Sequence, residues 1–120
     1  MRTQNAEEAI AGFYNALYSA DGATGSQPDA FMEQLVKDAV ERLADIDSAI
    51  ASHSEHWRIE RMPAVDRNIL RLAVCEMITT STPAAVVIDE ALQLARRFSG
   101  DESVGFVNGV LDAIHREQQP

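Results

Sequence analysis

The fold is decided in the second half of the chain, by the sequence WRIERMP at residues 57–63 and VDRNILRL at residues 65–72. Val65, Ile69 and Leu72 recur at intervals of four and three, so they share one face of an α-helix. Leu70 and the apolar residues that follow it widen this face. Pro63 suits the first turn of a helix, because its missing N–H has no partner to lose there. This stretch therefore predicts a helix with a broad apolar face.

The same periodicity extends outward over the rest of the chain. Apolar residues repeat every three or four positions over residues 6–20, 32–50, 84–98 and 106–114. The β-branched run VVI at residues 86–88 is too short for a strand and lies inside one of these helical patterns. The pattern predicts an all-α fold, a compact bundle of five main helices with a short turn near residues 55–62.

Turn and cap residues agree with these helix limits. Residues 21–28 are rich in glycine and polar residues and predict a loop. Thr82 and Pro83 predict an N-cap followed by the first residue of a helix. Gly100 predicts the end of one helix, with Asp101 or Ser103 capping the next.

Length and composition predict one soluble globular domain over residues 1–120. We divide it into an N-terminal helix and loop (1–27), a long helix and short turn (28–62) and a C-terminal helical subdomain (63–116). No apolar run approaches the roughly 20 residues that a membrane-spanning helix needs, and no secretory signal is visible. The single cysteine cannot form an intrachain disulfide. We therefore expect a cytoplasmic protein.

The net charge of −9 limits the partners of the chain. An acidic domain repels nucleic-acid phosphate at long range, so any RNA role needs a local basic patch or a partner that supplies positive charge. Four arginines, at positions 58, 61, 67 and 71, form such a local patch. They either pair with Glu60, Asp66 and Glu76 or contact phosphate. Local pairing is the favoured interpretation, because arginines among acidic residues usually pair with them.

Catalytic and metal sites are not predicted. His53 and His56 are three residues apart, but zinc sites normally use three or four ligands. Cys75 lies in an apolar helix with no general base nearby in the sequence, which favours a packed, inert thiol. No nucleotide-binding or zinc-protease motif is present. We expect no enzyme activity, no cofactor and no metal.

Asn108 and Gly109 interrupt the last helical pattern, FVNGVLD at residues 106–112. Both have low helix propensity, and a helical glycine costs about 1 kcal/mol relative to alanine. A close approach of another helix at Gly109 would explain that cost. We expect Asn108 to hydrogen-bond a neighbouring helix, because an unpaired buried amide is unfavourable.

These motifs, taken together, resemble the NusB family of bacterial transcription antitermination factors. The resemblance covers roughly residues 31–114, and its parts stand in the family's order and spacing. It is carried by residues 57–72, Glu76, Pro83, VIDEA at 87–91, LARRF at 94–98 and FVNGVLD at 106–112.

The resemblance implies an all-α domain of two packed helical subdomains without catalytic activity. It implies binding of the boxA sequence of ribosomal RNA leaders together with NusE, a ribosomal protein of the small subunit. This pair joins other Nus factors on RNA polymerase and suppresses premature termination. Some members of the family form homodimers, which could hide the RNA-binding surface.

The resemblance also assigns expected roles to individual residues. Glu102 and Phe106 match a region near bound RNA, where Phe106 could stack on a splayed base; core packing is the alternative role for this ring. Asp66, Cys75 and Glu76 lie on the helix that resembles the NusE-facing one, although the family often has tyrosine where Cys75 stands. The residues expected to support the scaffold are Trp57, Arg71, Asn108 and Gly109.

The N-terminal part departs from the family pattern. Members usually begin with an arginine-rich helix, R-R-x-A-R followed by Leu-Tyr, whereas Arg2 is the only basic residue here before Lys37. Either residues 7–20 correspond to the family's second helix, which we favour, or Leu17 and Tyr18 are the Leu-Tyr pair of the first. Two alternative functions follow: a helical protein-interaction scaffold that binds NusE but has lost RNA binding, or a detached domain of a ribosomal RNA methyltransferase.

Overall fold

The structure is a computed structural model that describes residues 30–54 and 61–118, with side chains from residue 34 onward. Within these ranges all regular structure is helical, which confirms the predicted all-α fold. The helices are α1 (Ala30–Glu41), α2 (Leu43–Ser52), α3 (Ala64–Thr79), α4 (Ala84–Phe98) and α5 (Asp101–Gln118). The predicted N-terminal helix, its loop, Trp57 and most of the short turn lie outside the described residues.

The long helix predicted over residues 32–50 is divided into α1 and α2 at Arg42. The backbone of Arg42, with φ −105° and ψ 15°, departs from helical geometry. Hydrogen bonds nevertheless run through this point, from Arg42 N to Asp38 O (3.0 Å) and from Ile46 N to Arg42 O (2.9 Å). The apolar periodicity therefore continues across the irregularity, and Ile46 and Ile50 are fully buried.

Helix α3 is the central element of the described fold and contacts all four other helices. Residues 68–75 are buried without interruption, which is two full turns of helix. A helix at the surface buries one stripe, whereas a helix surrounded by others buries its whole circumference. This explains why the apolar face predicted for VDRNILRL is so broad.

Proline precedes both α3 and α4. Pro63 and Pro83 are the N-cap residues, with extended ψ values of 141° and 138°. The prediction that Thr82 caps the helix and that Pro83 is its first residue is wrong by one position. Thr82 instead belongs to the preceding turn, where its backbone N–H donates to Thr80 Oγ1 at 3.2 Å.

A sharp elbow, which we define as residues 99–101, joins α4 to α5. The backbone N–H groups of Ser99 and Gly100 both donate to Ala95 O at 2.9 Å and close the end of α4. Gly100 has a φ of +134°, a conformation that residues with a side chain rarely adopt. The prediction that Gly100 ends a helix is confirmed. No helix among the described residues is long and apolar enough to cross a membrane.

Candidate functional site

A cavity of about 290 Å³ opens where the first turns of α3 and α5 meet. We call it the elbow pocket. It brings together Glu102 and Phe106, which were predicted to contact RNA, and Asp66, which was predicted to contact a partner protein. The described residues that line it are Met62, Pro63, Asp66, Glu102, Ser103 and Phe106.

Apolar side chains form part of the pocket wall. Phe106 is partly buried against the core and also lines the pocket. Met62 is 3% exposed and anchors the opposite segment in the core. Core packing and exposure to a ligand were alternative roles for Phe106, and this geometry permits both.

Asp66 occupies the inner side of the pocket and is only 4% exposed. Its two carboxylate oxygens accept hydrogen bonds from Ser99 Oγ at 2.6 Å and from Ser103 Oγ at 2.8 Å. The two hydroxyl oxygens lie 2.7 Å from each other. From the sequence, Asp66 was expected to contact a partner protein or to pair with a nearby arginine. The structure instead makes it the acceptor of an internal hydrogen-bond cluster.

Two arginines of the predicted patch, Arg67 and Arg71, make contacts inside the fold, whereas Arg61 is exposed and Arg58 lies outside the described residues. Arg71 is buried and forms a bidentate ion pair with Asp47 on α2, with N···O distances of 2.8 and 2.9 Å. Arg67 donates from Nη2 to Met62 O at 3.1 Å. The favoured interpretation, local pairing with Glu60, Asp66 or Glu76, is therefore wrong for Arg71, which forms its ion pair with an acid on another helix.

Cys75 is fully buried, so it is not a surface contact for a partner. Its thiol lies 3.7 Å from Leu35 O and 3.9 Å from Thr79 Oγ1. Burial is the main cause that raises the pKa of the thiol above its ordinary value. The predicted packed thiol is confirmed.

Glu76 is the one predicted partner residue on α3 that reaches the surface, where it is half-buried. Burial, followed by repulsion from Glu90, raises the pKa of its carboxyl group, and a hydrogen bond from Thr82 opposes this. The prediction that Glu76 pairs with an arginine does not fit this environment, because the charged neighbour that affects the pKa of Glu76 is Glu90, another acid.

Asn108 and Gly109 are exposed, contrary to the prediction of a close helix approach. No described residue would lie within 4 Å of a β-carbon placed at Gly109. Val107, Val110 and Leu111 are the buried residues of this segment. These three residues mark the buried face of α5, and Asn108 and Gly109 lie on the side that faces solvent.

Of the two histidines at positions 53 and 56, His53 lies among the described residues and contacts two oxygen atoms. His53 Nδ1 lies 2.8 Å from Ala49 O, and Nε2 lies 2.5 Å from a carboxylate oxygen of Glu117. His56 lies outside the described residues. No group of three metal-binding side chains occurs in the ranges 34–54 and 61–118.

Comparison with known proteins gives a consistent result. The family model described as the NusB family matches residues 1–116. The chain is 59% identical over 116 residues to the transcription antitermination protein NusB of Solibacter usitatus, covering 97% of this chain and 77% of the relative. It is 54% identical over 89 residues to that of Koribacter versatilis, covering 73% of this chain and 61% of the relative.

Solved structures show the same fold. NusB of T. maritima superimposes with a TM-score of 0.73 at 29% identity, covering 95% of this chain and 92% of the other. A crystal structure of antitermination factors NusB and NusE in complex with dsRNA has a TM-score of 0.72 at 27% identity and covers 98% of each chain.

The names of these relatives also indicate whether the chain is an enzyme. Both of these relatives are named as transcription antitermination proteins, not as enzymes, so the prediction that the chain is not an enzyme is confirmed. The family model spans nearly the whole sequence, and the relatives are far more than 30% identical to it. This chain belongs to the NusB family.

Proposed function

We propose that this chain is a transcription antitermination factor that binds the boxA sequence of ribosomal RNA leaders together with the ribosomal protein NusE. In this role it acts in the cytoplasm with other Nus factors and RNA polymerase to suppress premature termination. Family membership and the likeness to a complex of NusB, NusE and dsRNA support the proposal.

The elbow pocket is the observation that carries the RNA-binding part of the proposal. Its volume of about 290 Å³ is at the lower end for small-molecule sites and suits one nucleobase better than a large ligand. Phe106 offers an aromatic ring beside apolar Met62 and Pro63. Recognition of single-stranded RNA commonly combines stacking on an aromatic ring with hydrogen bonds to the base edge.

The charges around the pocket explain why a protein partner is needed. The described lining carries the carboxylates of Asp66 and Glu102 and no cationic side chain. The chain as a whole has a net charge of −9. Phosphate neutralisation by the described lining is therefore weak, and positive charge supplied by NusE or by another part of the complex strengthens binding.

The direct test measures the anisotropy of fluorescently labelled boxA RNA with this chain, with NusE, and with an equimolar mixture. A scrambled RNA of the same length and composition is the control. We expect weak binding by the chain alone and tighter, boxA-selective binding by the mixture. The logarithm of the affinity should fall with the logarithm of salt concentration, with a slope of roughly 0.7 per phosphate contacted. If the mixture binds boxA no better than NusE alone, the proposed function is wrong.

The acidic charge also favours the second candidate, a scaffold that binds NusE without contributing to RNA recognition. Calorimetry of this chain with NusE, in the absence of RNA, would then show binding. The mixture would show the same affinity for boxA and for the scrambled RNA. Selectivity for boxA that depends on this chain would exclude the scaffold.

A further inference from the structure

The cluster of Asp66, Ser99 and Ser103 connects three separate parts of the fold. Asp66 is in the first turn of α3, Ser99 is in the elbow, and Ser103 is in the first turn of α5. Two hydrogen bonds join them, from Ser99 Oγ at 2.6 Å and from Ser103 Oγ at 2.8 Å to the carboxylate of Asp66, and the two hydroxyl oxygens lie 2.7 Å apart. Hydrogen bonds from hydroxyl groups to a carboxylate are among the strong ones in proteins, so this cluster resists relative movement of the three parts.

This restraint adds to the backbone hydrogen bonds of the elbow, which run from the N–H groups of Ser99 and Gly100 to Ala95 O. Gly100 lies in a backbone conformation that its neighbours could not adopt without strain, and it has no side chain with which to pack. Ser99 itself is exposed. The hydroxyls of Ser99 and Ser103 therefore tie the elbow to buried Asp66. The carboxylate is tolerated there because it lies in the first turn of α3, where the helix dipole favours negative charge.

The hydrogen bonds to Asp66 also determine the positions of Phe106 and Glu102 in the elbow pocket. Ser103 and Phe106 are three residues apart on α5, so they lie on the same side of the helix. Glu102 precedes Ser103 directly. A rotation or shift of the first turn of α5 that breaks the bond from Ser103 to Asp66 would move Phe106 and Glu102 together.

We propose that Asp66 is a positioning residue for RNA binding: it holds the elbow through Ser99 and Ser103 and so keeps Phe106 and Glu102 in place, without contacting NusE itself. This inference rests on the proposed function. It gives Asp66 a role that differs from the partner contact that its position in the sequence suggests.

The test uses Asp66→Asn, which keeps the shape of the side chain but replaces one acceptor oxygen with an NH₂ group that cannot accept from a hydroxyl. With NusE present, we expect boxA RNA to bind roughly tenfold more weakly, the scale of one lost charge-assisted hydrogen bond. Amide hydrogen exchange should become faster over residues 99–106 but not in the middle of α3. Binding to NusE without RNA should be unchanged.

Non-additivity tests the mechanism more sharply. If Asp66 acts through the two hydroxyls, Asp66→Asn should weaken RNA binding no further in a chain that already carries Ser99→Ala and Ser103→Ala. Ser103→Thr, which keeps the hydroxyl, should bind RNA much better than Ser103→Ala. Two controls are Asp112→Asn, at a surface ion pair on the same helix, and Ile46→Val, which lowers stability from the core.

The proposal is overturned if Asp66→Asn binds RNA within about twofold of the unmodified chain, which is below the effect of one hydrogen bond. It is also overturned if Asp66→Asn loses as much affinity for NusE without RNA, or if it causes its full loss of RNA affinity again in the chain that carries Ser99→Ala and Ser103→Ala. A reduced affinity in Ile46→Val equal to that in Asp66→Asn would also count against it, since general destabilisation would then suffice. If the unmodified chain gains no RNA affinity with NusE, the proposed function fails separately, and hydrogen exchange still decides whether Asp66 holds the elbow.

Discussion

Arg71 on α3 and Asp47 on α2 form a bidentate ion pair that joins the two halves of the described fold. Both nitrogen–oxygen distances are short, at 2.8 and 2.9 Å, and the Arg71 side chain is only 9% exposed. Arg71 Nη1 also lies 3.4 Å from the side-chain oxygen of Asn68. The guanidinium group is therefore held by acceptors on two sides, which a long side chain inside a helical core requires.

Removing one partner of this pair should destabilise the protein. Asp47→Asn leaves the buried guanidinium of Arg71 without its counter-charge. Breaking a buried ion pair costs about 3–5 kcal/mol, and the partial exposure of Asp47 lowers our expectation to about 2 kcal/mol. Urea denaturation followed by circular dichroism would measure it. Asp112→Asn is the control, because its pair with Arg116 is exposed and such pairs contribute about 0–1 kcal/mol; equal losses in the two variants would contradict the prediction.

Phe106 should contribute to RNA binding through its aromatic ring and not only through its apolar volume. Stacking of a base on an aromatic side chain is worth about 1–3 kcal/mol. We therefore expect Phe106→Leu, which keeps most of the buried apolar contact, to weaken boxA binding in the presence of NusE by roughly 5- to 100-fold with little change in melting temperature. Unchanged RNA affinity in Phe106→Leu would restrict this residue to core packing.

Glu76 should make stability depend on pH. Burial and repulsion by Glu90 raise the pKa of its carboxyl group in the folded protein, so the folded state holds the proton more tightly than the unfolded state does. The unfavourable contribution is fully present above the raised folded pKa and disappears as pH falls towards the ordinary value of 4.5.

Glu76→Gln should therefore stabilise the protein at pH 7 by about 0.5 kcal/mol, the scale of a repulsive surface pair. The difference from the unmodified chain should vanish below the ordinary pKa of a glutamate. Urea denaturation at pH 7 and at pH 4 measures both ends of this range. A stabilisation that is the same at both pH values would show that charge is not its cause.

Cys75 should be protected from thiol reagents in the folded state. Its side chain is fully buried, and burial raises the pKa of the thiol, so both access and the thiolate fraction are low. We expect its reaction with a disulfide reagent at pH 8 to be slower than that of the urea-unfolded chain by a factor of about 100 or more. Rapid labelling of the folded protein, with the circular dichroism spectrum retained, would contradict this.

Substitution by alanine should change the stability of the protein in opposite directions at Gly109 and at Gly100. Gly109 is exposed within α5 and has no described neighbour near a β-carbon, so Gly109→Ala should stabilise the protein by about 0.5–1 kcal/mol. Gly100 has a φ of +134°, so Gly100→Ala should destabilise it by about 1 kcal/mol or more. Thermal unfolding of both variants measures this. A loss of stability in Gly109→Ala would support the close helix approach that the sequence suggested.

The helices themselves could be predicted because their signals are local. The apolar repeat that includes Ile69 and Leu72 predicted the buried face of α3, and Gly100 predicted the end of α4. These signals act over three or four residues, through the helical repeat and through the termini of each helix. The irregularity at Arg42 was not predicted, because the apolar repeat and the backbone hydrogen bonds continue through it.

The family could also be identified from the sequence, because FVNGVLD and the stretch around VDRNILRL occur together in the family's order and spacing. The contacts of the polar residues could not be predicted from the sequence. Arg71 reaches an acid 24 residues away, and Asp66 accepts from hydroxyls 33 and 37 residues away. From the sequence, both residues were expected to pair with acids or arginines nearby in the chain.

The sequence by itself determined the helical class, the helix limits to within a residue or two at the prolines and Gly100, and membership of the NusB family. Only the tertiary structure decided that Asp66 accepts hydrogen bonds from Ser99 and Ser103, that Arg71 pairs with Asp47 and that Phe106 and Glu102 line one pocket. The reason is physical: helix formation depends on near neighbours, whereas the partner of a buried charge depends on how helices pack, and that packing brings together residues that no local pattern connects.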